Sequence, residues 1–582
     1  MLRQNKTERG EEMRLELNEK KSVEIIKVVM AITTVFLPFL TGLLNDVTAT
    51  YLLLTVFCGV FAIRLIKSAK AGVSVLTLIG LCLTAYSVLS SLWVDNREGH
   101  MLYVSGLLLT AVFTSVLTDY YVHADNTTRR FSYMLTMSGV VCAAGSMCDW
   151  LINIVPYGNG KNLTFGFENS EFLAIFMLLS IISSVSLLKN NARTRKIIIR
   201  CSLVLMVFVF FLTAGFVAWM LVILTAVLLV VRNFYTKLFF PAGLCAVVVF
   251  SVTVISVALS GGRGIVFREV YGFGIESFFG NGGGFFAAKE IFLSVPSTET
   301  TSGLLAYITA ASGVFGLGVC VILFIINAIS FNKLRDFPSL FALLVTVPLM
   351  FLPFGGICTI LFYFGLMLFN ISNWKTGAFR TVTVRQKMKV KRMLVASFAV
   401  LAMTVPVLTG NIVANYADMC FKDGEFSSAF DFYKVASSIN LTDAHSCYMA
   451  VISMKNGNLI QNNSQCAHEM IDKAIEREPD NLKFRKEKAL LYELSGEYDK
   501  AAKLYSDAAR RAKTGDEYNL MLAKVLFHKI EEYPKGSIES RNIHNEISQL
   551  AGKTDNIEIK KEINDIADKA QPFTKGEIID EK

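Results

Sequence analysis

Chemistry in this chain has few side chains to draw on. Of its 582 residues 53% are apolar and only 18% are charged, against about 25% charged in soluble globular proteins. The most unusual group of charges lies in residues 261–302, GGRGIVFREVYGFGIESFFGNGGGFFAAKEIFLSVPSTETTS. Cations bind anions and carboxylates move protons. The first set here is Arg263, Arg268 and Lys289; the second is Glu269, Glu276, Glu290 and Glu299. The glycines do not form a P-loop, because no Gly-Lys-Ser/Thr follows them. Elsewhere His100 and Lys161 lie in loops between apolar runs, while Asp149 and Glu171 stand near the ends of such runs. Ionisable groups in such places are costly and mark candidate sites. The 11 cysteines include no Cys-x-x-Cys pair, so neither a zinc site nor a redox site is expected.

These residues must be positioned by apolar elements of membrane-spanning length. Thirteen spans are expected, at about 23–44, 48–66, 72–93, 101–120, 131–154, 170–188, 197–213, 215–231, 238–260, 303–330, 337–353, 355–372 and 393–411; a total of 12–14 would fit the same pattern. The fold class is therefore all-α: a polytopic transmembrane bundle over 23–411, followed by a soluble helical domain. A soluble enzyme, a disordered chain and a disulfide-knit secreted module are excluded. Lys and Arg collect in alternate connections. One series runs from Arg64, Lys67 and Lys70 through Arg129 and Arg130 to the cluster from Lys375 to Arg392. The positive-inside rule makes those connections, and the tail 1–22, cytoplasmic. The same rule accounts for the net charge of +9, so no nucleic-acid partner is expected. It puts the loop 261–302 and everything after 411 outside the cytoplasm. The Phe content of that loop fits packing on the bilayer interface. Transport fits less well, because neither mid-membrane charges nor matching halves are evident.

Residues 412–550 carry a repeat. Gly424-Glu425-Phe426 is followed by Ala429, Tyr433 and Ala436, and Gly496-Glu497-Tyr498 by Ala501, Tyr505 and Ala508, at identical offsets. Ala467, Ile471 and Ala474 keep the spacing between them. Small residues at these positions let paired helices approach. The pattern resembles about three tetratricopeptide repeats, the middle one carrying a short insertion, and implies a protein partner. Residues 551–582 read as a charged, fraying tail.

The order of features resembles the O-antigen ligase and polymerase-like membrane glycosyltransferases. Phe165-Gly166-Phe167-Glu168-Asn169, leading into Phe172-Leu173-Ala174, is similar to that family's lead-in to a span. Gly262-Arg263, with Phe267 and then Phe279-Gly280-Asn281-Gly282, is similar to its loop opening. Gly313-Val314-Phe315-Gly316-Leu317 is similar to its closing motif. The resemblance implies transfer of a polyprenyl-diphosphate-linked glycan to an acceptor hydroxyl outside the cytoplasm, without a cofactor. Membrane lipids and the lipid-linked donor are then the ligands. It assigns diphosphate binding to Arg263 first, with Arg268, Lys161 and Lys289 in support. Two family positions differ. The usual loop His is Ser302 here, and the Arg usual before Gly-Ala-Trp is Phe216. Glu299 is then the expected base, with Glu171, Glu276 or His100 as alternatives. A non-catalytic scaffold, whose repeats recruit partners, is the competing expectation.

Overall fold

The computed structural model describes residues 19–37, 46–94, 97–123, 127–154, 165, 167, 170–188, 193–213, 215–258, 279, 304–334, 337–351, 380–383, 387–479, 481–512 and 515–574. The chain divides into two compact units, the second formed mainly by residues from Thr409 onward.

The first unit is helical. Its elements are α1 (19–37), α2 (Asp46–Ser68), α3 (Val75–Ser90), α4 (Arg97–His123), α5 (Thr127–Asp149), α6 (Ser170–Leu188), α7 (Arg193–Leu212), α8 (Phe216–Phe234), α9 (Phe239–Ala258), α10 (Leu304–Leu334) and α11 (Phe337–Phe351). The long helix α12 (Lys387–Lys422) follows. Eight helices of the described residues are long and apolar enough to cross a membrane. Every expected span coincides with a helix except 355–372, which lies outside the described residues. Several hydroxyls within these helices are satisfied locally. Thr84, Thr118, Ser184 and Ser251 each donate to the carbonyl four residues earlier, at 2.7 Å. That is the only economical partner where water is absent.

Helix α6 lies deepest, with Phe172 through Met177 all buried. It packs with α5 and α7, while α11 packs against α9 and α10. The apolar residues Ile223, Val227, Val248, Val252, Ile322 and Ile325 on α8, α9 and α10 are exposed. They form the kind of surface that a bilayer covers.

Two features depart from the sequence reading. The expected third span begins as a strand, β1 (Lys70–Val73), which pairs antiparallel with β2 (Arg380–Thr383), Lys70 opposite Thr383. Helix α3 starts only after Ser74, whose side chain accepts from Thr77 N–H in a capping box. Its 16 residues reach about 24 Å, short of a full crossing. The second departure is a break in α10. Gly313 has φ 58° and ψ −140°, a conformation open to glycine and strained for other residues.

The second unit contains the end of α12 and then α13 (Phe426–Ile439), α14 (Ala444–Asn456), α15 (Ile460–Arg477), α16 (Leu482–Leu494), α17 (Tyr498–Arg511), α18 (Asp516–Ile530), α19 (Ile538–Gly552) and α20 (Ile557–Ala570). From α13 onward each packs on its neighbour in the chain. One turn recurs three times. The second residue after each helix is left-handed: Gly424 (φ 81°), Asn458 (φ 55°) and Gly496 (φ 75°). The next amide then donates back across the turn. Glu425 reaches Cys420 O at 2.9 Å, and Leu459 reaches Met454 O and Glu497 reaches Tyr492 O at 2.8 Å. This six-to-one bond is the Schellman cap. Beyond each turn, Ala429/Tyr433/Ala436, Ala467/Ile471/Ala474 and Ala501/Tyr505/Ala508 are all buried. The middle copy has extra residues before its first alanine, and α15 is kinked there at Asn463. Part of the stretch read as a fraying tail is the packed helix α20, in which Ile563, Ala567 and Ala570 are buried. Their spacing puts them on one face, which the surrounding lysines and acids obscure in the sequence.

Candidate functional site

The end of α3, the start of α4 and the start of α10 meet at one end of the first unit. His100 lies in the first turn of α4 and is 2% exposed. Its Nε2 is 2.8 Å from Ser87 O of α3. A carbonyl only accepts, so Nε2 carries the proton and that nitrogen cannot act as a base. The structure thus buries His100 in a helix, against α3. One turn further on, Tyr103 Oη is 2.8 Å from Ser312 Oγ, both buried. Ser312 immediately precedes the break at Gly313. The break puts the carbonyl of Ile308 against Gly316, an approach that a straight helix does not allow over eight residues. The stretch resembling a closing motif, Gly313 to Leu317, is therefore a fold-back between two helical halves.

Tyr86 of α3 joins this end. Its ring centroid is 4.5 Å from that of Phe315, and its hydroxyl donates to Phe279 O at 2.5 Å. Phe279 also lies edge-on to Trp93, at 6.4 Å. Arg263, Arg268, Glu276, Lys289, Glu299 and Ser302 lie outside the described residues, as does Lys161.

Glu171 is occupied by a structural task. From the first turn of α6 its carboxylate accepts Val217 N–H at 3.1 Å and Ala218 N–H at 3.3 Å. These amides open α8, whose N-cap, Gly215, has no side chain to offer. A carboxylate here satisfies orphan donors and faces the positive end of the helix dipole. Glycine at 215 makes room for the approach: a Cβ there would lie 2.8 Å from Glu171 Oε2, and the carboxylate would have to shift. Phe216, at the position where the family resemblance led us to expect an arginine, is 55% exposed. Asp149 is half-buried at the end of α5, ahead of the π-helical turn Trp150–Ile154. Phe167 is buried against Phe176, their centroids 5.5 Å apart.

A second ionic group joins α1, α2, β1 and α4. Arg64 and Asp119 are each 1% exposed, with Arg64 Nε 3.5 Å from Asp119 Oδ2. Arg64 also donates to Ser22 Oγ at 2.8 Å and lies 3.6 Å from Glu19. Lys70 Nζ meets both Glu19 oxygens, at 2.7 and 2.9 Å. Sequence reasoning took Arg64 as a solvated topology marker and missed Asp119. The available signal was an aspartate at the end of an apolar run, two helices from an arginine in the same position. Among the described residues no group of His, Cys, Asp and Glu is arranged to hold a metal ion.

No known protein family and no curated protein matches this chain.

Proposed function

We propose that this chain is a multi-pass protein of a bacterial plasma membrane that transfers or polymerises polyprenyl-diphosphate-linked glycan on the extracytoplasmic face. The observation that carries the reading is the helix break at Gly313. It falls within the stretch that resembles a closing motif and next to the polar segment 261–302 that holds the expected ligands. A break of this kind frees backbone N–H groups at the start of the second helical half, where negative charge is favoured. Arg263, with Arg268, Lys161 and Lys289, would hold the diphosphate by bidentate or point-charge contacts. Glu299, beside Ser302, would take the acceptor proton. The donor carries its own leaving group, so no nucleotide sugar enters.

The pairing of two distant connections supports the count of crossings between them. The paired strands β1 and β2 join residues 70 and 380, both in connections that the lysine and arginine distribution makes cytoplasmic. In that frame the polar segment and the helices after α12 are extracytoplasmic. The recurrent Schellman turn with its buried Ala-x-x-x-Tyr/Ile-x-x-Ala register supports tetratricopeptide-like repeats, a protein-binding architecture.

The scaffold reading has one specific observation in its favour. Glu171 and His100, two alternatives for the base, are engaged in helix capping and a carbonyl contact. The deciding experiment compares the surface glycan of a parent strain, a deletion and Arg263→Ala at equal protein level. The enzyme reading expects Arg263→Ala to match the deletion, with lipid-linked precursor accumulating. A glycan changed by the deletion but not by Arg263→Ala rejects catalysis in the loop and leaves the scaffold.

A further inference from the structure

Two hydroxyls, on α3 and α4, reach the polar stretch between α9 and α10 and the first half of α10 that follows it. Tyr86 Oη holds the carbonyl of Phe279, a residue 193 positions away in the chain. Tyr103 Oη holds Ser312 Oγ, 209 positions away. Neither bond is needed to build α3 or α4, whose backbones are satisfied internally. Their partners are the informative side. Phe279 lies inside the 261–302 stretch. Ser312 ends the half-helix 304–312, which leads directly out of that stretch and is folded back at Gly313. A hinge at a left-handed glycine leaves the half-helix free to swing unless something fixes its last residue. The buried Tyr103–Ser312 bond does so. His100 braces the same region, its ring centroid 6.4 Å from that of Tyr103 and its Nε2 on Ser87 O. At Phe279 the backbone carbonyl is held by Tyr86, while the ring packs edge-on to Trp93.

We infer that Tyr86 and Tyr103 are positioning residues that clamp the chain at Phe279 and at Ser312, the two points that flank Lys289, Glu299 and Ser302 in the sequence. The inference rests on the glycan-transfer reading for its purpose but not for its geometry. Tyr103→Phe and Ser312→Ala each remove one hydroxyl and keep the shape of the side chain. Losing a hydrogen bond worth about 1 kcal/mol predicts about five-fold faster local amide exchange. The two changes remove the same bond, so the double variant is no worse than either single one. Tyr86→Phe has the corresponding effect around residue 279.

The test is hydrogen–deuterium exchange of the full chain in lipid nanodiscs, read on peptides covering 279 and 304–312, beside the surface-glycan profile of the same variants. Faster exchange confined to those peptides, and non-additive for Tyr103 with Ser312, is the expected result. Unchanged exchange overturns the clamp, and so does faster exchange spread over the whole membrane unit, which would mark ordinary packing. The glycan profile separates the two ideas. Local loosening with a reduced glycan supports both. Local loosening with a normal glycan keeps the clamp and sinks the catalytic role of the stretch.

Discussion

Glu171 illustrates how far a single carboxylate can depart from its sequence reading. An acid at the edge of an apolar run invites a catalytic role, yet its oxygens are spent on the amides that open α8. Replacing Glu171 with Ala removes that cap and should cost about 1 kcal/mol. Gly215→Ala should cost about 1 kcal/mol, because its Cβ would displace the capping carboxylate. Thermal unfolding of the detergent-solubilised protein measures both, and a neutral Gly215→Ala would contradict the packing. Asp119 makes a larger wager. Asp119→Ala leaves Arg64 buried beside a missing partner and should destabilise by about 3–5 kcal/mol. Combining Arg64→Met with Asp119→Leu should recover most of the loss, because Glu19 retains Lys70. A double variant as unstable as Asp119→Ala would show that shape, not charge, governs the site.

Turns and helices were legible to different degrees. The Gly-Glu-aromatic pairs were visible as letters, and the structure gives their cause: glycine at the left-handed cap, then an amide bonded back over the turn. The matching turn at Asn458 was hidden, because asparagine replaces glycine there and the alanine register is displaced by the kink at Asn463. Gly496→Ala should cost about 1–2 kcal/mol from the left-handed backbone alone, measured by the same thermal unfolding. Strand β1 could not have been foreseen, since its partner is far off and hydropathy alone extends the third span through it. Helix α16 adds a pH dependence. Burial holds Glu493 above the ordinary carboxylate value of 4.5, opposed by the nearby cations His528 and Lys524. The folded state then binds more protons than the unfolded one, so stability falls as pH rises from 4.5 through the raised value. Glu493→Gln should flatten that slope in a pH series of melting temperatures. An unchanged slope would place the dependence elsewhere.

At the scale of the whole molecule, the alternation of basic connections and the spacing of apolar runs were enough to anticipate nearly every helix in the first unit. The site was less readable. Contacts such as Tyr103 with Ser312 join positions that no local pattern connects, and Gly313, though legible as part of a motif, carries no letter that marks a break in the helix. Orientation can be tested directly. A reporter enzyme that is active only outside the cytoplasm should be active when fused after residue 574 and silent when fused into the connection near residue 70. Activity at both positions, or the reverse pattern, would invert the assignment.

The β1–β2 ribbon also sets a schedule for biogenesis. Its two strands lie roughly three hundred residues apart, so at about 5–20 residues per second the ribosome needs about 15–60 s to deliver the second after the first. During that interval α3 to α11 are made, and the edge of β1 still awaits the strand it pairs with. The ribbon is thus a late clasp on a bundle that still lacks α12. A polypeptide ending before Arg380 would carry nearly all the membrane helices yet lack the strand that completes it.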